Sequence, residues 1–375
     1  MPSNWWKNLL ATMKVLIMAN IMTHENILVK VIKDPQVMTG LSIEQWNICL
    51  KEAKLSGTAG RLAYDAKRLN ITDKLPLKVQ DQFRGFIYNS GASIRKIQWE
   101  MNRVARALKG ASEKVILLKG ATYIAKDLIC SKGRTSVDLD ILVAKNRIDW
   151  AEEQFLAAGW KHQVINDYDQ KFYREYSHEL PPLVHPDRHI SIDVHHNILP
   201  VTSRVKPDIK EMIAAVVKID ENFYVFCDVD IILHSIVHLF QDGEIRSSIR
   251  NLLEQHDLYE EFGQNPQFWQ DLIPRAQQLG LTRALYYSLK FCRLIFETEI
   301  PEHITAQIKQ YQPNFLARKL MNFMVLGVIS PNLGLKGIGR YIAMNGLYIR
   351  SHWLRMPPAL LIKHLSIKFY RGLKE

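Results

Sequence analysis

One eight-residue segment constrains the fold more than any other: Ser136-Val137-Asp138-Leu139-Asp140-Ile141-Leu142-Val143. Strict alternation of polar and apolar residues marks a half-buried β-strand. Val137, Leu139, Ile141 and Val143 are therefore assigned to one face, and Ser136, Asp138 and Asp140 to the other. Residues two apart on a strand share a side at a backbone separation of roughly 6.5–7 Å. Two carboxylates held that close repel each other unless a cation lies between them, and hard divalent cations take carboxylate oxygens. The segment thus predicts a Mg²⁺ site carried on a β-sheet.

The sequence around this strand is of a different kind. Apolar residues recur at three- and four-residue spacing through NWWKNLLATMKVLIMAN, through 43–67 and through 79–110, which predicts helices. Ser42 and Gln45 form a capping-box pattern before the second stretch, and Pro76 stands in the break before the third. The pattern changes at residue 114. A short buried strand at 115–118, a turn at Lys119-Gly120-Ala121 and a helix over 122–130 precede the acidic strand. An amphipathic helix from Asp149 to Ala158, closed by Gly159, follows it. Strand-like pieces are then read at 160–165, 171–176, 182–185 and 189–196, the last two flanking Pro186-Asp187 as a hairpin. From 207 onward the reading is helical again. The chain is therefore expected to be α+β, with a mixed sheet at 113–206 between helical regions at 1–112 and 207–375. A length of 375 residues allows that division.

A third carboxylate is expected on a neighbouring strand, and Asp193 in Ile190-Ser191-Ile192-Asp193-Val194-His195 fits. Ser191, Asp193 and His195 share its polar face. Three carboxylates on adjacent strands can hold two Mg²⁺ roughly 3.5–4 Å apart. Five histidines, His178, His185, His189, His195 and His196, crowd the same stretch in no familiar zinc spacing. His178 and His195 read better as supports of the carboxylates or contacts to an acceptor. His234 and His238, four apart in an apolar helical pattern, read as core histidines.

Charge bears on partners. The net charge is +11, which permits a polyanion such as an NTP, RNA or an anionic membrane surface without choosing among them. Much of the excess is late: after residue 310 ten Lys and Arg stand against the single acid Glu375. The basic-aromatic tail fits weak peripheral membrane or RNA contact, and equally a solvated helical end. No run of 18 apolar residues occurs, so no membrane span is expected. The four cysteines form no CxxC pair and read as free thiols, which with the absence of a secretory pattern makes the expected location cytoplasmic.

The order strand, Leu118-Lys119-Gly120-Ala121, helix, Arg134-Thr135-Ser136-Val137-Asp138-Leu139-Asp140, then a later hairpin with a carboxylate, resembles the DNA polymerase β nucleotidyltransferase superfamily. The chain is more closely similar to a bacterial family described only as nucleotidyltransferases. That family also has segments like His178-Glu179-Leu180-Pro181-Pro182-Leu183-Val184 and Ile192-Asp193-Val194-His195. The chain departs from the superfamily in Ala121, where a Ser or Gly is usual, and in a longer gap from Gly120 to Asp138. The resemblance implies a polymerase β-like core at 113–206 and transfer of an NMP from an NTP, with ATP the default donor, releasing pyrophosphate. It implies Mg²⁺ at Asp138, Asp140 and Asp193, with Asp193 also taking the proton of the attacking hydroxyl. Lys119, Gly120, Ala121 and Arg134 would face the phosphates. The acceptor class, whether sugar, peptide, protein or RNA, is not specified by these residues. The alternative is a catalytically silent nucleotide-binding or scaffold protein on the same fold.

Overall fold

Side chains written into the sequence start the first helices. Asn26 Oδ1 accepts from Val29 N at the head of α1 (Ile27–Lys33). The Ser42–Gln45 box closes on itself at α2 (Ile43–Ser56), with Gln45 N donating to Ser42 Oγ at 3.2 Å and Ser42 N to Gln45 Oε1 at 2.9 Å. After α3 (Ala59–Arg68), Pro76 sits at the head of α4 (Leu77–Ala107), a position where its missing N–H costs nothing. The computed structural model describes residues 26–110, 114–163, 167–188, 190–241, 249–329, 337–362 and 366. The helix expected within the first 20 residues, His189, and residues 363–365 and 367–375 of the basic tail lie outside these.

The sheet follows. Its strands are β1 (Val115–Leu117), β2 (Asp138–Leu142), β3 (Lys161–His162), β4 (Leu183–Val184), β5 (Ser191–His195), β6 (Val217–Lys218) and β7 (Phe223–Val225). Their order is β3-β4-β5-β2-β1-β7-β6. The central pair β2 and β5 is parallel, as is β1 with β7, and the other pairings are antiparallel. The mixed sheet among helices bears out the α+β expectation. Helices α5 (Lys119–Ala125), α6 (Ile148–Ala157), α7 (Asp167–Tyr176) and α8 (Ile209–Ala214) punctuate the strands. Then come α9 (Asp228–Phe240), α10 (Ile249–Phe262), α11 (Pro266–Gln278), α12 (Thr282–Phe296), α13 (Glu302–Ile308), α14 (Phe315–Val328) and α15 (Gly337–Arg355).

The period-two pattern divides the sheet between two apolar cores. Leu139, Ile141, Val143, Ile192 and Val194 pack with Ile97 and Val104 of α4 and with Phe155 of α6. Ile116 and Leu142, on the opposite face, join a larger core to which α1 to α3 and α9 to α12 contribute. Helix α9 is buried almost throughout from Val229 to Phe240, as expected of a helix apolar on every side. Among the described residues no helix is long and apolar enough to cross a membrane.

Four local expectations are corrected. Val137 is exposed rather than buried, because pairing begins one residue later, at Asp138 against Ser191. Residues 171–176 belong to helix α7, whose Tyr168, Phe172 and Tyr176 rings are spaced at four residues, with Phe172 and Tyr176 centroids 5.6 Å apart. Helix α5 starts at Lys119 itself and ends at Ala125, so residues 119–121 are its first turn. The stretch after 207 is not helical throughout, since β6 and β7 lie within it and β7 pairs with β1.

Candidate active site

Register decides which side chains meet. On β2 and β5, Asp138 lies opposite Ser191, Asp140 opposite Asp193, and Leu142 opposite His195. Residues directly opposite on adjacent strands share a face, so Asp138, Asp140, Ser191, Asp193 and His195 gather on the side away from the α4–α6 core. The turn of the β4–β5 hairpin is pinned to α4 by Arg188, whose Nε donates to Glu100 Oε2 at 3.0 Å.

Asp140 is 4% exposed and has two basic partners. Lys119 Nζ is 2.9 Å from its Oδ1, and His195 Nε2 is 3.0 Å from the same oxygen. Burial disfavours its charge, but Lys119 and His195 outweigh burial and hold the carboxyl well below the usual range. Lys119 reaches it from a corner with φ +44°, a left-handed conformation that costs energy for a lysine. The corner is fixed by Leu118 N donating to Asp140 O at 3.0 Å and by Thr122 Oγ1 donating to Leu117 O at 2.6 Å.

Asp193 has the opposite environment. Burial, then Asp140 and Glu179, push its carboxyl up to about 7, against a weaker pull from His195. Its Oδ1 is buried and has no hydrogen-bond partner among the described residues. His195 stands between carboxylates: besides Asp140, its Nδ1 lies 3.3 Å from Glu179 Oε2, an ion-pair approach without hydrogen-bond alignment. Burial alone would lower the imidazole pKa; Glu179 and Asp140 reverse that, and the net direction is up.

The sequence reading assigned no role to Glu179. It arrives through an irregularity next to β4. Leu183 pairs with Ile192, whereas Glu179 bridges His195, so one extra residue is accommodated at Pro181-Pro182. The bulge lets Leu180 and Leu183, three apart, both enter the apolar core. It thereby turns Glu179 to the acidic face. His178, Glu179 and His195 also offer ligand atoms within 4.8 Å of one another. Two leucines at odd spacing around a Pro-Pro pair were the available signal.

Of the residues expected to face phosphates, Lys119 reaches Asp140 while Ala121 and Arg134 are engaged elsewhere. Ala121 packs into the α4–α6 core, and its N–H donates to Leu118 O. A Cβ on Gly120 would fall 2.3 Å from Arg134 Nη1, so glycine here makes room for the arginine. Arg134 donates from Nε to Glu254 Oε1 of α10 at 3.0 Å, contacts Ser136 Oγ, and lies over the Tyr123 ring. It ties the lead-in of β2 to the C-terminal helices. The same lead-in touches α3, where a Cβ on Gly60 would sit 2.0 Å from Gly133 O. His234 is buried with its ring against Phe226, in keeping with a core histidine. Burial first, then the nearby Lys119, holds it well below its ordinary pKa, so it stays neutral behind the site.

The donor set suits a hard divalent cation. Asp138, Asp140 and Asp193 bring carboxylates to one face from two adjacent strands, and Asp193 Oδ1, with no hydrogen-bond partner among the described residues, is an acceptor that a positive neighbour would satisfy. Residues 42–297, more than half of the chain, match the model of a family described as uncharacterised nucleotidyltransferase. No curated protein matches the chain, and no solved structure does.

Proposed function

The chain belongs to the uncharacterised nucleotidyltransferase family, and from that premise we propose that it is a Mg²⁺-dependent enzyme with a polymerase β-like core, moving an NMP from an NTP to an acceptor hydroxyl. The core is centred on residues 113–206, with β6 and β7 completing its sheet between the flanking helical regions. One observation carries the reading: Asp140 stands in register with Asp193 on a parallel strand, where a buried Asp193 oxygen has no partner among the described residues.

Asp138, Asp140 and Asp193 would hold the cation. When bound, it would lower the pKa of the acceptor hydroxyl and offset charge on the phosphates and the pyrophosphate leaving group. The acceptor oxygen bonds to the α-phosphorus, the bond from that phosphorus to the bridging oxygen breaks, and pyrophosphate departs. Asp193 Oδ1 takes the hydroxyl proton. Lys119 and the N–H of Gly120 face the triphosphate. His195, held by Glu179, keeps Asp140 in place. ATP is the default donor.

Thermal unfolding with each of the four NTPs, with and without Mg²⁺, tests the site before any acceptor is known, because a ligand of the native state raises the midpoint by mass action. The expected result is a Mg²⁺-dependent rise with one NTP that is absent in Asp138→Ala. No rise with any NTP in the wild type would sink the proposal. A second reading, a silent nucleotide-binding protein, is favoured by the engagement of Arg134 with Glu254 and the burial of Ala121. It requires the same midpoint shift with no pyrophosphate release. Release that disappears in Asp140→Asn decides for the enzyme.

A further inference from the structure

Helices α14 and α15 lie beyond residue 297, outside the stretch that matches the nucleotidyltransferase family. They pack antiparallel: Arg340 Nη1 donates to Gly327 O near one end, and Gly346 closes on Met324 farther along. The inner face of α15 is conventional, with Ala343, Leu347 and Ser351 buried. Its outer face is not. Ile338, Tyr341, Ile342, Tyr348, Ile349 and Trp353 recur at helical spacing and are all exposed, Ile338 by 79% and Ile349 by 62%. Phe315, Leu316 and Leu320 of α14 are exposed as well. An ordinary surface helix has polar residues there; exposed apolar residues repeated along a helix face mark a docking surface.

The charge around this face selects the occupant. Arg204 lies over the Trp353 ring at 4.0 Å, Lys319 lies over the Phe315 ring at 5.4 Å, and Arg355 ends α15. The chain then continues as MPPALLIKHLSIKFYRGLKE, with four more basic residues and Glu375 as its single acid. The first 25 residues carry Lys7 and Lys14 against Glu25, so their charge does not complement this rim. A second copy would bring the same positive charge. An anionic lipid surface complements both features, since it accepts apolar side chains at the headgroup level, favours Trp and Tyr there, and attracts Lys and Arg.

We propose that the outer face of α14 and α15 docks the protein on an anionic membrane surface, lying in the interface without spanning it. Cosedimentation of the full chain with vesicles tests this, using phosphatidylcholine alone and phosphatidylcholine mixed with phosphatidylglycerol. The wild type is expected to bind the mixed vesicles and to be released by high salt. Ile342→Asp and Ile349→Asp are each expected to weaken binding about tenfold, the loss of one inserted aliphatic side chain. Both positions are exposed, and an unchanged unfolding midpoint shows that the variant has folded; Tyr341→Ser, a milder change on the same face, serves if it has not. No binding to the mixed vesicles, or binding that the substitutions leave unchanged, overturns the proposal. So does a concentration-dependent dimer without lipid that the same substitutions dissolve, since the face would then belong to a second copy.

Discussion

Asp140 and Asp193 face each other across two parallel strands, yet their carboxyls are shifted in opposite directions, because both basic neighbours serve Asp140. Lys119 is the closer of the two, with Nζ 2.9 Å from Asp140 Oδ1. Replacing it by methionine leaves the buried Asp140 with His195 as its basic partner, so the cost stays below the figure of about 3–5 kcal/mol for a buried charge left wholly unpaired. Urea unfolding of Lys119→Met in the presence of a chelator should show that loss, and added Mg²⁺ should recover part of it. Gly120→Ala acts differently. The new methyl group meets the Arg134 guanidinium, so the arginine must leave Glu254 or the turn must open. A loss of about 1–3 kcal/mol is expected from the overpacking, measurable as a lowered denaturant midpoint. The acidic residues of the candidate site were legible because Asp138, Asp140 and Asp193 lie in uninterrupted alternation. Glu179 was not, because its face depends on where a bulge falls. The role of Gly120 was only half legible: the need for a small residue shows in sequence, but the arginine that imposes it comes from fourteen residues later.

Elements were legible where one local signal stood unopposed. The capping box at α2 followed from Ser42 and Gln45 alone, and Ser42→Ala should cost about 1 kcal/mol in chemical denaturation without altering any nucleotide-induced shift. Helix α7 was misread because KFYREY is rich in aromatic residues that favour strands, while its four-residue period shows only when Tyr168 is included. Strands β6 and β7 have two and three residues, too few for a period-two pattern to rise above the helical signal around them. Tertiary pairing with β1, rather than local preference, makes β7 a strand.

At the scale of the molecule, stability should depend on pH through groups far from the carboxylates. His256 on α10 is held down to about 4 by burial and by Arg61, from an ordinary 6.5. Above about pH 6.5 it is neutral folded or unfolded. As pH falls from 6.5 toward 4, the unfolded chain takes up a proton that the folded chain refuses, so stability is lost across that window, by up to about 3 kcal/mol. Urea midpoints at pH 7 and pH 5 should differ less in His256→Gln than in the wild type. Equal differences would show that the Thr298 hydroxyl, 2.9 Å from its Nδ1, accommodates the protonated ring.

The sheet also bears on how such a site could be inherited. Strand β1 is flanked on one side by β2, which carries Asp138 and Asp140, and on the other by β7, which the chain supplies about a hundred residues after β1. Cutting after residue 206 would leave every candidate carboxylate in the fragment while exposing an apolar strand with its backbone unpaired, an invitation to aggregate. The short contiguous block that bears the carboxylates would therefore reach another protein without the strand that pairs with β1. A fragment that keeps β1 paired on both sides runs through Val225, three residues short of Asp228, which Lys126, just past α5, meets at 2.8 Å.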